Sequence, residues 1–145
     1  MTRAAIRLTL LGSMLVSLSA CFSDRPTEPT GPTVSFAADI QPIFSGSCAF
    51  SGCHGTTNAN PGAKPMVLAA GQAYDNIVGV SSVEVPTMQR IRAGQPDASY
   101  MIHKLQGTHA TVGGTGGRMP LGSAPLAQAT IDRFRAWVAA GAPRN

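Results

Sequence analysis

Two thiols and an imidazole stand close together in this chain: Cys48-Ala49-Phe50-Ser51-Gly52-Cys53-His54 sets a histidine directly after the second of two cysteines. Two thiols at short range can add across the two vinyl groups of a haem as thioethers, and the adjoining imidazole is then brought beneath the iron as an axial ligand. The familiar attachment site is Cys-x2-Cys-His, whereas four residues separate the cysteines here. On a regular helix positions i and i+5 point about 140° apart, so the helix must break between Cys48 and Cys53. Gly52, with Ser51 beside it, supplies permissive backbone for that break and preserves the Cys53-His54 adjacency. The expected cofactor is one covalent haem c on Cys48 and Cys53, with His54 as first axial ligand. A disulfide between the two cysteines is the plainer alternative in an exported protein. Zinc has no obvious fourth ligand beside Cys48, Cys53 and His54.

The third cysteine has a different context. Arg3 and Arg7 precede an uncharged run over residues 8–18, and the small residues Ser19 and Ala20 follow, the order of a secretory signal peptide. A membrane-spanning helix needs about 20 apolar residues, more than this run provides. Leu18-Ser19-Ala20-Cys21 resembles the lipobox of bacterial lipoproteins, in which the cysteine is acylated and begins the mature chain. The Pro/Thr-rich stretch behind it is poor in apolar residues and suits an extended tether. The expected organisation is a signal peptide over residues 1–20, acylated Cys21 and tether over 21–34, and a folded domain over 35–145. Such a protein is exported and membrane-anchored through lipid, facing the periplasm, with the choice of inner or outer membrane open.

With 145 residues, 43% hydrophobic and 12% charged, the chain suits one small globular domain and excludes a large multidomain enzyme. Only 6% of residues are aromatic, and a core so poor in large rings invites a disulfide, a metal or a large cofactor as its missing mass. Removing residues 1–20 takes away Arg3 and Arg7 and lowers the formal charge from +4 to +2. No cluster of Lys and Arg interleaved with aromatics is visible, so nucleic acid is not an expected partner.

Short helices with long Gly- and Pro-containing loops must position these groups. Ser35 is placed to cap a first helix over 36–44, whose stripe of Phe36, Ile40, Ile43 and Phe44 delivers Cys48. Pro42 should shorten or kink it. A loop is expected over 55–65, a short helix over 73–78, and extended or irregular chain over 88–91. Pro96 and Asp97 begin a helix predicted to reach 105, with Tyr100, Met101, Lys104 and Leu105 at helical spacing. Residues 107–118, rich in glycine, form a flexible loop that can be ordered only against something rigid. A last helix over 126–140 carries Ile131, Phe134, Trp137 and Val138 on one face, with Pro125 in its first turn and Gly141 and Pro143 ending it. The fold class is all-α.

The segment 36–44 ahead of Cys48, the Cys53-His54 pair, the stretch from Pro96-Asp97-Ala98 to Lys104-Leu105, Arg118-Met119-Pro120, and the closing Ile131-Asp132-Arg133-Phe134-Arg135-Ala136-Trp137 together resemble one bacterial family. It is the family of monohaem cytochrome c-like domains that accommodate the longer Cys-x4-Cys-His motif, and the likeness runs from about residue 35 to 143. The resemblance implies a small cytochrome c-like haem domain with helices at both ends, histidine and methionine axial ligation, and electron transfer.

Four methionines remain beyond the signal: Met66, Met88, Met101 and Met119. Met101 lies at helical spacing and is expected in the core. Met66 and Met88 have no further support. Met119 follows a glycine-rich loop able to fold over a flat cofactor and precedes Pro120, which stiffens the backbone; it is the expected sixth ligand. His109 in the same loop is its rival. His103 is expected to pack or hydrogen-bond near the haem rim, and Arg118 to be a solvated surface residue or to meet a haem propionate. The expected function is a lipid-anchored electron carrier between redox protein partners, without catalytic residues or an evident small-molecule substrate. The alternatives are a haem peroxidase or redox subunit of a larger oxidoreductase, with His109 as acid and base, and a disulfide-stapled surface lipoprotein without haem that binds a partner.

Overall fold

The computed structural model describes residues 33–56 and 66–145. The expected signal peptide, Cys21 and all but the end of the expected tether lie outside the described residues, as does most of the loop expected over 55–65.

Ser35 caps the first helix as its sequence context predicts. Its Oγ accepts the Ala38 N–H at 3.1 Å, while its own N–H donates to the Asp39 carboxylate at 2.8 Å, a reciprocal cap that satisfies two otherwise orphaned donors. The helix does not stop at Pro42 but changes register just before it. A π turn over Phe36–Ile40 runs into α1, Gln41–Ser47, and Gln41 donates to the Phe36 carbonyl five residues back. The register change leaves Pro42 in the first turn of α1, where a missing N–H costs little.

Helix α2 is a short element, Ala73–Ile77. Beyond it the chain forms the isolated bridges Val78 with Ile91, Ser81 with Gln89 and Gln89 with Ser99, and no strand occurs among the described residues. The helix expected over 96–105 is divided. A 3-10 turn, Pro96–Ala98, gives way at Ser99 to an extended residue (φ −102°, ψ 111°) before α3, Tyr100–Gln106. Ser99 is fully buried, and its hydroxyl bonds to the Gln95 carbonyl at 2.8 Å and to the Arg92 N–H at 2.9 Å. These contacts, with the bridge to Gln89, hold it outside the helical region.

A 3-10 turn, His109–Val112, interrupts the glycine-rich loop. Helix α4, Gln128–Ala139, starts later than its periodicity suggested, so Pro125 lies ahead of the first turn and no side chain caps Ala127. Its predicted face is buried: Ile131, Phe134, Trp137 and Val138 all enter the core. Gly141, at φ 94°, ends the helix in the left-handed region that glycine adopts without a Cβ clash.

Helix α4 packs against the π turn, α3 and the Pro96–Ala98 turn. The scarce aromatics gather where the two terminal helices meet. Phe36 lies 5.2 Å from Tyr74 edge-on and 5.3 Å from Trp137, and Phe44 lies 5.3 Å from Phe134. Their polar tips are satisfied at 2.9 Å, Trp137 Nε1–H on the Pro143 carbonyl and the Tyr74 hydroxyl on that of Ala142. The regular elements of the described residues are all helical, and no described helix is long and apolar enough to cross a membrane.

Candidate functional site

Helix α1 ends where the cysteine spacing requires. Cys48 is its C-cap (φ −135°, ψ −36°), and both Cys48 and Ala49 donate to the Phe44 carbonyl, at 2.9 and 2.8 Å. The chain then turns through Gly52, at φ 81° with open space around it, and doubles back. Cys53 and Gly55 both donate to the Phe50 carbonyl, at 3.1 and 3.0 Å, and the His54 N–H closes onto the Cys48 carbonyl at 3.1 Å. The four intervening residues therefore form a closed loop between the thiols. Gly55 is as necessary to that closure as Gly52, because a Cβ there would lie 2.9 Å from the Phe50 carbonyl oxygen. The only sign of it in the sequence is a glycine after the histidine.

Both thiols are free. Cys48 is half-buried against the hydrophobic core, and burial, aided by the neighbouring Cys53, pushes its thiol up to about 11, so it remains protonated at neutral pH. Cys53 is exposed. The His54 Nδ1 lies 3.1 Å from the Met66 carbonyl oxygen. That oxygen can only accept, so Nδ1 carries the proton and Nε2 keeps its lone pair, the tautomer in which a backbone carbonyl orients a metal-binding imidazole. Burial lowers the His54 pKa, the Met66 hydrogen bond opposes the shift, and the positive charge of Arg90 reinforces it; the imidazole is held neutral. The Leu68 N–H donates to the His54 carbonyl at 2.7 Å, so the stretch 66–68 grips His54 through both backbone and ring. Neither Met66, through its carbonyl, nor Arg90, through its charge, was singled out in the sequence. A carbonyl is common to every residue, and the approach of Arg90 to His54 depends on folding.

Met119 packs half-buried on the same core as Cys48 and Met66, and its N–H donates to the Lys104 carbonyl at 3.0 Å. The loop before it is ordered against a polar cluster. Lys104 Nζ lies 3.2 Å from the Glu84 carboxylate and 2.9 Å from the Thr115 carbonyl, the Tyr100 hydroxyl donates to Glu84, and the Thr115 N–H reaches Glu84 at 3.3 Å. Burial pushes the Tyr100 hydroxyl above its usual range, and the Glu84 hydrogen bond and charge add to that. For Glu84, burial acts upward but the bonds from Tyr100 and Lys104 outweigh it and hold the carboxyl below its usual range. This cluster is the rigid support the glycine-rich loop needs.

The rival histidines are engaged elsewhere. His109 is buried with Nε2 on the Gly116 carbonyl at 2.8 Å, and its Nδ1 is sealed without a partner. His103 bonds through both ring nitrogens, to Thr108 Oγ1 at 2.9 Å and the Asp97 carbonyl at 3.0 Å. Met101 is in the core, as its helical spacing predicts. Arg118 is partly exposed; its stem lies over Gly107, where a Cβ would meet Arg118 Cδ at 3.2 Å, and its Nε is sealed.

Among the described residues no three of His, Cys, Asp and Glu gather as a cage for a bare metal ion. The donor set is instead of the kind a covalently held haem would use: two free thiols five positions apart, a neutral imidazole whose Nε2 has no hydrogen-bond partner among the described residues, and soft or apolar side chains bordering one core. No protein-family model, no curated protein and no solved structure matches the chain.

Proposed function

We propose that the protein is a lipid-anchored monohaem c-type cytochrome, an electron carrier and not an enzyme, that passes single electrons between periplasmic or membrane-bound redox partners. The observation that carries this reading is His54: an imidazole directly after Cys53, with Nδ1–H on the Met66 carbonyl at 3.1 Å and the Nε2 lone pair left for a metal. Cys48 and Cys53 would each add S–H across one vinyl group, forming two thioether bonds without any net oxidation or reduction. When bound, the haem supplies a one-electron ferric/ferrous couple. His54 would hold the iron as a neutral imidazole oriented from behind by the Met66 carbonyl. Met119 would supply the second protein ligand, a soft thioether that favours ferrous iron. Phe50 in the cysteine loop and Leu121 just after Met119-Pro120 remain exposed, apolar surface that a porphyrin or a docking partner would cover. The helical architecture is read as a cytochrome c-like domain on the same grounds. Acylation of Cys21 and the tether behind it would keep the domain within reach of a bilayer.

Intact mass after expression with a cytochrome c maturation system tests the reading. The expected result is the mature chain plus one haem, with red colour that survives acid-acetone extraction. An apoprotein with a Cys48–Cys53 disulfide and no colour would overturn it in favour of a stapled surface lipoprotein.

A further inference from the structure

Arg90 is a buried cation without an acidic partner among the described residues. Only 7% of its surface is exposed, and its backbone is clamped on both sides, N–H on the Val80 carbonyl at 2.7 Å and carbonyl accepting from Met101 at 2.9 Å. One guanidinium N–H, on Nη1, donates to the Asn76 carbonyl at 2.7 Å. The ion pairs among the described residues are Lys104 with Glu84, Arg135 with Asp97 and Arg144 with Asp75; none involves Arg90. The stretch 57–65 contains no Asp or Glu, its one charged residue being Lys64. A guanidinium stays charged in proteins, and an uncompensated buried charge is strongly unfavourable. The sealed, unpartnered polar atoms are Gln41 Oε1, His109 Nδ1 and Arg118 Nε, so the spare N–H groups of Arg90 open to the surface.

The position of that opening is informative. Asn76, which receives the guanidinium on its carbonyl, accepts the Val67 N–H on its side-chain oxygen at 3.3 Å. Val67 lies between Met66, whose carbonyl orients His54, and Leu68, whose N–H holds the His54 carbonyl. Arg90 is thus wired to the backbone that grips His54, and its charge is felt at the imidazole. Arg118, the arginine that the sequence offered for a propionate, lays its stem over Gly107.

We propose that Arg90 is an anion-binding residue whose partner is a carboxylate of the group held by His54, namely a haem propionate. The proposal rests on the haem reading above. Bidentate pairing of guanidinium with carboxylate satisfies the spare donors and neutralises the charge. A fixed positive charge near the iron also favours the ferrous state, which carries one more electron.

The test uses the full-length, haem-loaded protein in detergent, comparing wild type with Arg90→Gln and with Arg90→Lys, which keeps the charge and guards against loss through misfolding. Arg90→Gln should lower the midpoint potential by the equivalent of about a tenfold change in the ferrous/ferric equilibrium, about 59 mV for one electron. It should also move the propionate-bending band in the resonance Raman spectrum, while Arg90→Lys recovers most of the potential. An unchanged potential and band in a red Arg90→Gln protein would overturn the assignment of Arg90 and leave the haem reading standing. A Raman band indifferent to Arg90, with a potential difference that scales with added phosphate, would mean a free solution anion and would also overturn it. A colourless wild type with two free thiols would remove the carboxylate itself and overturn both.

Discussion

The loop over residues 48–55 and the loop over residues 107–118 precede or contain the two proposed axial ligands, yet they are held by different forces. In the first, backbone bonds between near neighbours do the shaping: Cys53 and Gly55 onto Phe50, His54 onto Cys48. In the second, side chains from distant parts of the chain converge, with Glu84, Tyr100 and Lys104 gathering Thr115 and Gly114. A backbone closure depends little on pH or salt, whereas an ion pair half open to water weakens with both. The proposed attachment thiols therefore sit on the locally encoded loop, and the proposed sixth ligand follows the loop that solution conditions can loosen.

The largest expected effect separates attachment from ligation. A Cys48→Ser, Cys53→Ser double variant should lose covalent haem altogether on a haem-stained denaturing gel. Met119→Ala should keep the stain, lose the weak near-infrared sulfur-to-iron band and gain carbon monoxide binding. Equal loss of stain from both proteins would erase the distinction, and a Met119→Ala protein that still excludes carbon monoxide would move the sixth ligand to His109.

Stability changes of about 2–3 kcal/mol are expected for an added methyl in either loop, the usual cost of overpacking without room to relax. In Gly114→Ala the methyl would meet the Tyr100 hydroxyl and the His109 carbonyl; in Gly55→Ala it would meet the Phe50 carbonyl at 2.9 Å. Removing the hydroxyl with Tyr100→Phe should recover part of the Gly114→Ala loss and none of the Gly55→Ala loss. Urea denaturation of the three single and two double variants, read as two double-mutant cycles, measures this. Equal rescue of both would mean that the loops are one cooperative unit.

The smallest effect is also the most sensitive to conditions. Glu84→Gln leaves buried Lys104 without its carboxylate and should cost about 1–2 kcal/mol at neutral pH, less than a fully buried pair because Glu84 is partly exposed. The Glu84 carboxyl, despite burial, is held below its ordinary value of 4.5 by the bonds from Tyr100 and Lys104. Its contribution is therefore complete above that value and is lost as the pH falls through the lower, folded-state value. The gap between wild type and Glu84→Gln should close on acidification, while the gap for Gly55→Ala should not. Thermal melts from neutral to acid pH check this, and a pH-independent Glu84→Gln gap would show that the carboxylate acts through shape alone.

Several features followed from the sequence because their causes lie within a few residues. Ser35 caps its helix three residues away, Cys48 and Cys53 at i and i+5 require a broken helix, and Ile131, Phe134, Trp137 and Val138 mark one buried face that ends at Gly141. Other local expectations failed where a tertiary contact outweighed propensity. The π register absorbed Pro42, and the buried Ser99 hydroxyl divided the helix expected over 96–105. The carbonyl that orients His54, the approach of Arg90 to it, and the Glu84, Tyr100 and Lys104 support for the distal loop were decided only by folding. Hydrogen bonding by a backbone carbonyl is independent of the side chain that names the residue, and the consequence of a charge depends on its neighbours in space. Neither has a sequence spacing from which it could be read.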